Sequence, residues 1–221
     1  MIRSVLFTKE IPTQLIEQFL PDMDYRILPS LNIVITDRQT IENKINPTEK
    51  INLITSQNSV KAIENIELTG DFYVVGKKTA QKLQAQNRSV VAVENYAAEL
   101  FARHLSELKQ TTIQFFCGNN RRDYLVENLM NNNNQVNQII SYQSIPIENH
   151  VEKMYDAYAF FSPLSFTTFL QKNKIPTEAL IFSVGTTTTE AIKERITNPI
   201  YTADEPLVEA VLKKIKKHRN D

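Results

Sequence analysis

Residues able to hold an anion recur along this chain, and two of their clusters share one layout. Ser183-Val184-Gly185-Thr186-Thr187-Thr188-Thr189-Glu190-Ala191-Ile192 sets a glycine and a run of hydroxyls directly after the apolar run Ala179 to Phe182. That run has the length of a buried strand. Gly185 permits a bend or a close approach, Thr187 and Glu190 stand at capping-box spacing, and Ile192 with Ile196 gives an apolar helix face. The first turn of such a helix carries unpaired N–H groups and the positive end of the helix dipole, so it suits a carboxylate or phosphate. The threonines can also serve as plain helix caps. Phe72 to Leu83 repeats the construction, with Gly76 for Gly185, Thr79 for Thr188 and Leu83 for Ile192. Upstream, Leu53 to Val60 with Ser56 matches Ala159 to Phe166 with Ser162. Gly118-Asn119 closes one more strand, Ile113 to Cys117, and adds another turn of the same kind.

Other chemistries find less support. Cys117 stands at a strand end, but no histidine is placed near it by any motif, and buried cysteines are commonly inert. His104, His150 and His218 show no metal-ligand spacing. With 4 glycines in the chain and neither G-x-G-x-x-G nor P-loop spacing, dinucleotide and triphosphate binding are disfavoured. The 25 basic and 25 acidic residues cancel, so no global field draws in nucleic acid or an anionic membrane, and an anionic ligand must be recognised locally. The basic stretch Lys213 to Arg219 ends a helix, where positive charge suits the dipole. Arg121 and Arg122 open a helix and can either meet a carboxylate or simply be solvated. No apolar run has membrane-spanning length, the N-terminal apolar stretch is too short for a signal peptide, and one cysteine excludes an internal disulfide. A cytoplasmic protein with no metal is expected.

These turns need strands and helices to position them. Ser4 to Thr8 and Tyr25 to Leu28 read as strands around a helix from Thr13 to Phe19. Residues 31 to 37 read as an extended connector, Arg38 to Lys50 as a polar stretch with a short helix, and Ser144 to Ile147 as a second connector. Asn131 to Asn134 reads as a solvated turn at the end of a helix spanning Asp123 to Met130. Tyr96 to Leu105 and Glu205 to Ile215 read as helices. Strands alternate with helices throughout, which predicts an α/β fold of parallel sheets covered on both faces, with ligands beyond the carboxyl ends of the strands. The repeat is too long for a solenoid and predicts two similar domains. Five strands fall between about residues 39 and 142 and only three after it, so the strands near 4 and 25 are expected to complete the second sheet. The expected layout is a discontinuous domain, 1–35 with 147–221, and an inserted domain, 38–142, joined by a two-stranded connector.

Thr55-Ser56, Val75-Gly76-Lys77-Lys78-Thr79-Ala80, Cys117-Gly118-Asn119, Ser141-Tyr142-Gln143-Ser144, Phe160-Phe161-Ser162-Pro163 and Val184-Gly185-Thr186-Thr187-Thr188 follow one another in an order that resembles the uroporphyrinogen-III synthase family. The set covers nearly the whole chain. The resemblance implies a cofactor-free, monomeric enzyme that dehydrates the linear tetrapyrrole hydroxymethylbilane and closes the macrocycle with its last pyrrole ring inverted. It also implies a transient contact with hydroxymethylbilane synthase. Tyr142 corresponds to the tyrosine proposed to assist loss of the bilane hydroxyl, and a phenol with a pKa near 10 is protonated at neutral pH and able to donate. By the same resemblance Ser56, Gly76, Thr79, Gly118, Asn119, Ser162, Gly185, Thr187 and Thr188 bind substrate carboxylates. The chain departs from the family at two turns, with Thr186 where Gly-Pro-Thr-Thr has proline and Leu164 where Ser-Pro-Ser has its second serine. A non-catalytic two-domain protein that closes on a small anion is the alternative.

Overall fold

The computed structural model describes residues 1–219, and the chain divides into two compact units, Met1–Asn32 with the chain from Ile145 onward, and Ile33–Ser144. The first unit begins with β1 (Ser4–Phe7), α1 (Thr13–Phe19) and β2 (Asp24–Ile27). The chain then runs through β3 (Leu31–Ile35) and into the second unit. That unit holds α2 (Arg38–Glu42), β4 (Ile51–Ile54), α3 (Gln57–Ala62), β5 (Asp71–Val75), α4 (Lys77–Ala85), β6 (Ser89–Glu94) and α5 (Ala97–Leu100), which continues as a π-helical turn over Phe101–Leu105. It closes with β7 (Thr112–Gly118), α6 (Tyr124–Asn131) and β8 (Gln135–Pro146). The first unit resumes with β9 (Ala157–Phe160), α7 (Pro163–Lys172), β10 (Leu180–Ser183), α8 (Thr186–Lys193), β11 (Ile200–Thr202) and α9 (Val208–Lys217).

The first unit's sheet has the order β11-β10-β9-β1-β2, all parallel. The strands from both ends of the chain thus complete one sheet. Side chains alternate across it: Val5 and Phe7 of β1, Ala157 and Ala159 of β9 and Phe182 of β10 enter one core with α1 and α9. Leu6, Tyr158, Phe160 and Ile181 enter the opposite core with Phe166 and Phe169 of α7 and Ile192 of α8. Residues of a strand alternate between faces, so near-continuous apolar runs such as Ser-Val-Leu-Phe need a helix layer on each side.

The second unit's sheet has the order β3-β8-β7-β4-β5-β6. Its five strands from β4 to β8 are parallel. Ile54, Phe72, Val74 and Phe116 face one core, and Leu53, Ile113, Phe115 and Cys117 the other. β3 joins at the edge against β8, with Thr36 N–H donating to Ser141 O at 3.0 Å and Ile147 N–H to Ser30 O at 2.9 Å. The opposed numbering makes this pair antiparallel. The second connector read from the sequence is the end of one long strand, because β8 runs uninterrupted to Pro146.

With β9, β10, β11, β1 and β2 set against β4, β5, β6, β7 and β8, the two sheets share one strand order. The chain passes through it in a permuted sequence, starting at the fourth strand of the first unit.

Two local expectations change. Asn134 is buried at 5 % exposure: its Nδ2 donates to Leu108 O at 2.7 Å and its Oδ1 accepts from Thr111 N–H at 3.2 Å. The asparagine run is therefore partly a buried clip between the π-helical turn's exit and β7, where an amide meets orphan backbone groups. The helix read over Tyr96 to Leu105 changes pitch at Phe101, which lets Arg103 and His104 both reach Glu94, each at 3.0 Å. Among the described residues, no helix is long and apolar enough to cross a membrane.

Candidate active site

In a doubly wound sheet the crevice opens at the carboxyl ends of the two neighbouring strands from which the chain winds outward in opposite directions. In the second unit those strands are β4 and β7. Ser56 follows β4, Gly118 ends β7 and Asn119 follows it, and Tyr142 stands on β8, the next strand out. Four of the residues expected in the site are thus brought to one crevice by topology alone.

The Tyr142 ring lies on Gly118. A Cβ on that glycine would sit 2.5 Å from Cζ, 2.7 Å from Cε2 and 2.7 Å from the phenol oxygen. No other residue type leaves that space. The Ser56 side chain acts on the phenol and favours its ionised form. Burial pushes the Tyr142 pKa up, outweighing the opposing effect of Ser56, while neighbouring Cys117 pushes it the same way as burial. The phenol is therefore protonated through the neutral range, the state a proton donor needs. Cys117 is buried at 1 % exposure, and burial pushes its thiol up to about 11 against the pull of Arg121, so it is no nucleophile at neutral pH.

Asn119 and Ser56 are less open than their sequence contexts suggest. Asn119 Oδ1 accepts from Ser144 N–H at 2.8 Å, and its own N–H donates to Tyr142 O at 3.2 Å. Ser56 N-caps the six-residue α3, with Oγ accepting from Asn58 N–H at 3.2 Å. Both residues spend much of their capacity holding the structure around Tyr142. Arg121 has its guanidinium 3.3 Å from Asp123 and a buried Nε with no hydrogen-bond partner.

Gly76 stands between β5 and α4 with φ +97°, the left-handed region that favours glycine. Its N–H donates to Glu94 O at 2.8 Å, and its carbonyl accepts from Thr79 N–H at 3.0 Å. Thr79 is buried with its hydroxyl folded toward Gly76.

In the first unit the corresponding strands are β9 and β1. Ser162 follows β9 and makes a reciprocal box with Ser165: Ser165 N–H donates to Ser162 Oγ at 3.0 Å, and Ser162 N–H to Ser165 Oγ at 3.2 Å. Lys9, just beyond β1, stands 5.8 Å from the centre of the Phe161 ring. Sequence reasoning missed Lys9, because only strand order shows that β1 borders the crevice.

Gly185 does not repeat Gly76. It is the N-cap of α8 in an extended conformation, φ 176°, with open space where a Cβ would project. Nor does Thr187 make a capping box with Glu190, since the helix starts two residues earlier than that box requires and no side chain caps it. Thr188 is buried, its N–H donating to Gly185 O at 3.1 Å. Thr189 Oγ1 lies 2.6 Å from both Ser183 Oγ and Thr202 Oγ1, knotting α8 to β10 and β11. The first N–H groups of α8, those of Thr186 and Thr187, have no intrahelical acceptor and face an unobstructed glycine.

A family model described as Uroporphyrinogen-III synthase HemD matches residues 24–213. The chain belongs to the uroporphyrinogen-III synthase family. Solved structures of uroporphyrinogen-III synthases share its fold. That from Helicobacter pylori is 18% identical, with 96% of this chain and 97% of that one aligned at a TM-score of 0.64. A mutant form from Thermus thermophilus is 15% identical, with 97% of each chain aligned at 0.69. At this identity the likeness speaks for architecture. The family match carries the activity: the chain is a cyclising lyase of tetrapyrrole biosynthesis. A uroporphyrinogen-III synthase must loosen a hydroxyl group and hold a many-carboxylate substrate.

Proposed function

We propose that Tyr142 is the proton donor of this uroporphyrinogen-III synthase. The phenol hydrogen-bonds the departing hydroxyl of hydroxymethylbilane and gives it a proton, so that the group leaves as water while the electron-rich pyrrole carries the positive charge. The observation that supports this most is the phenol seated on Gly118 at the crevice and kept protonated by burial. Gly185 with Thr187 and Thr188, Gly76 with Thr79, and Ser162 hold substrate carboxylates through helix-start N–H groups and hydroxyls. Ser56, Gly118 and Asn119 also bind substrate, bordering the reacting centre. The domain limits we favour are 1–35 with 147–221, and 38–142; residues 220 and 221 lie outside the described part. We further place the enzyme in the cytoplasm as a monomer that works without a cofactor and receives its substrate through a transient contact with hydroxymethylbilane synthase.

The test is a coupled assay with porphobilinogen and hydroxymethylbilane synthase, followed by oxidation and chromatographic separation of the uroporphyrin isomers. Uncatalysed closure gives type I. The protein is expected to give type III, and Tyr142→Phe to lower the rate by about 10² without a comparable rise in KM. Type III formation at an unchanged rate in Tyr142→Phe would remove the phenol from the mechanism.

A further inference from the structure

We infer that Gly118, Ser56 and a one-residue bulge at Ser141 form a holder that aims the Tyr142 phenol, with Ser56 donating to the phenol oxygen so that the phenol's own proton is left for the leaving hydroxyl. This rests on Tyr142 being the proton donor. Strands β7 and β8 pair residue by residue from Thr112 with Gln135 to Cys117 with Ile140, and then Gly118 faces Tyr142. Ser141 is stepped over. Bulges are rare in parallel pairs, and where they occur near active sites they re-aim a side chain.

The stepped-over residue is buried and pinned. Ser141 Oγ lies 2.9 Å from Ser59 Oγ on α3 and 3.1 Å from Cys117 O on β7. On the other side of the tyrosine, Asn119 takes both the Tyr142 carbonyl and the Ser144 N–H. The backbone is thus tied before, at and after residue 142. Gly118 does not have a left-handed φ, so its own backbone does not demand glycine; the ring lying on it does. Ser56 Oγ already accepts from Asn58 N–H, and the single proton of its hydroxyl is the one the proposal assigns to the phenol oxygen. The same bond steadies the phenolate once the proton has left. Ser56 and Gly118 are in this view positioning residues, acting through Tyr142.

The variants are Ser56→Gly, Gly118→Ala, Tyr142→Phe and Tyr142→Ala, with the doubles Ser56→Gly/Tyr142→Phe and Gly118→Ala/Tyr142→Ala. Glycine is itself an accepted N-cap, so Ser56→Gly keeps α3 while deleting the hydroxyl. In Gly118→Ala/Tyr142→Ala the clash that could unfold Gly118→Ala is gone. Ser56→Gly is expected to lower kcat about tenfold with KM unchanged and Gly118→Ala to approach the Tyr142→Phe rate, while each double is no slower than its Tyr142 single. A readout independent of activity is the ζ-carbon resonance of 13C-labelled tyrosine, assigned by its loss in Tyr142→Phe. Its alkaline titration should move upward in Ser56→Gly, because a bond that favours the phenolate has been removed.

If Tyr142→Phe is slow while Ser56→Gly and Gly118→Ala keep the full rate, the holder falls and the donor reading stands. The holder falls equally if the losses persist undiminished in the doubles. If Tyr142→Phe keeps the full rate, the donor reading falls, and the resonance decides the hydrogen bond alone: an unmoved titration in Ser56→Gly overturns it.

Discussion

Replacing Gly185 by alanine separates a glycine kept for folding from one kept for a ligand. The residue is extended, φ 176° and ψ 171°, a conformation open to any L residue, and nothing lies within 4 Å of the position a Cβ would take. Folding therefore gains from the substitution, since alanine has fewer unfolded conformations to lose, by about 0.4–1 kcal/mol. For a domain of this size that raises the melting temperature by about 1 to 4 °C. Binding moves the other way. A carboxylate oxygen has to come within about 3 Å of the Thr186 and Thr187 N–H groups, and the new methyl group stands beside that approach. Loss of one charged hydrogen bond costs about 1.5–3 kcal/mol, equivalent to a roughly 10- to 100-fold lower kcat/KM. Thermal unfolding and the isomer-resolved coupled assay read the two effects on the same sample. A less stable Gly185→Ala would show that the backbone needs glycine after all. An equally active one would show that the α8 turn holds no carboxylate, and would sink the substrate-binding role of Gly185, Thr187 and Thr188 together.

Gly76→Ala should behave in the opposite sense, losing about 1–2 kcal/mol because φ +97° is strained for a side chain, and chemical denaturation will show it. Thr189→Val leaves buried Ser183 Oγ without its 2.6 Å partner and should cost about 1–3 kcal/mol in the same measurement. Cys117, pushed up to about 11 by burial, should resist a disulfide reagent at pH 8 in the native protein and react at once in denaturant. Burial would raise the Asp156 pKa, but the Arg3 and Ser4 N–H groups and the Ser4 hydroxyl together lower it. Its stabilising share is thus complete above the unfolded value of about 3.9 and fades as pH falls through the lower folded value. Asp156→Asn should accordingly melt below the parent at pH 7 and converge on it toward pH 3, by thermal scans across that range.

The sheets were legible because strands buried on both faces must be apolar at nearly every position, as Ser4–Phe7 and Ala157–Phe160 are. Counting strands in the two halves was enough to send β1 and β2 to the later half. Gly76 was legible too, since a glycine between strand and helix often marks positive φ. Gly185 has the same local sequence context and a different backbone, because β10 delivers the chain to α8 already extended. Sequence gives no warning of the Ser141 bulge, whose cause is a partner strand 24 residues away making room for a ring. Nor does it show what else Ser56 and Asn119 hold. Ser56 Oγ accepts from Asn58 N–H in its own helix cap, while Asn119 Oδ1 accepts from Ser144 N–H, a contact that exists only once β7 and β8 lie side by side.

The duplicated topology sharpens what differs between the halves. β7 and β8 correspond to β1 and β2, yet β1 and β2 stay in simple register from Ser4 with Asp24 to Phe7 with Ile27, and Leu28 N–H continues the ladder onto Phe7 O. Just past it Ser30 N–H donates to Thr8 O at 3.2 Å, two residues on along the β2 side for one along the β1 side, and the residues passed, Leu28 and Pro29, carry no ionisable group. Directly after β1 stands Thr8, buried, its hydroxyl donating to Ala159 O at 2.9 Å and tying the strand end to β9. On the proposed roles one unit carries the proton donor, while the other offers helix-start donors and Lys9 beside its own topological crevice. A duplicated fold with the chemistry on one copy predicts that substitutions at Tyr142, Gly118 and Ser56 act on kcat, whereas those at Gly185, Thr187 and Ser162 act on KM.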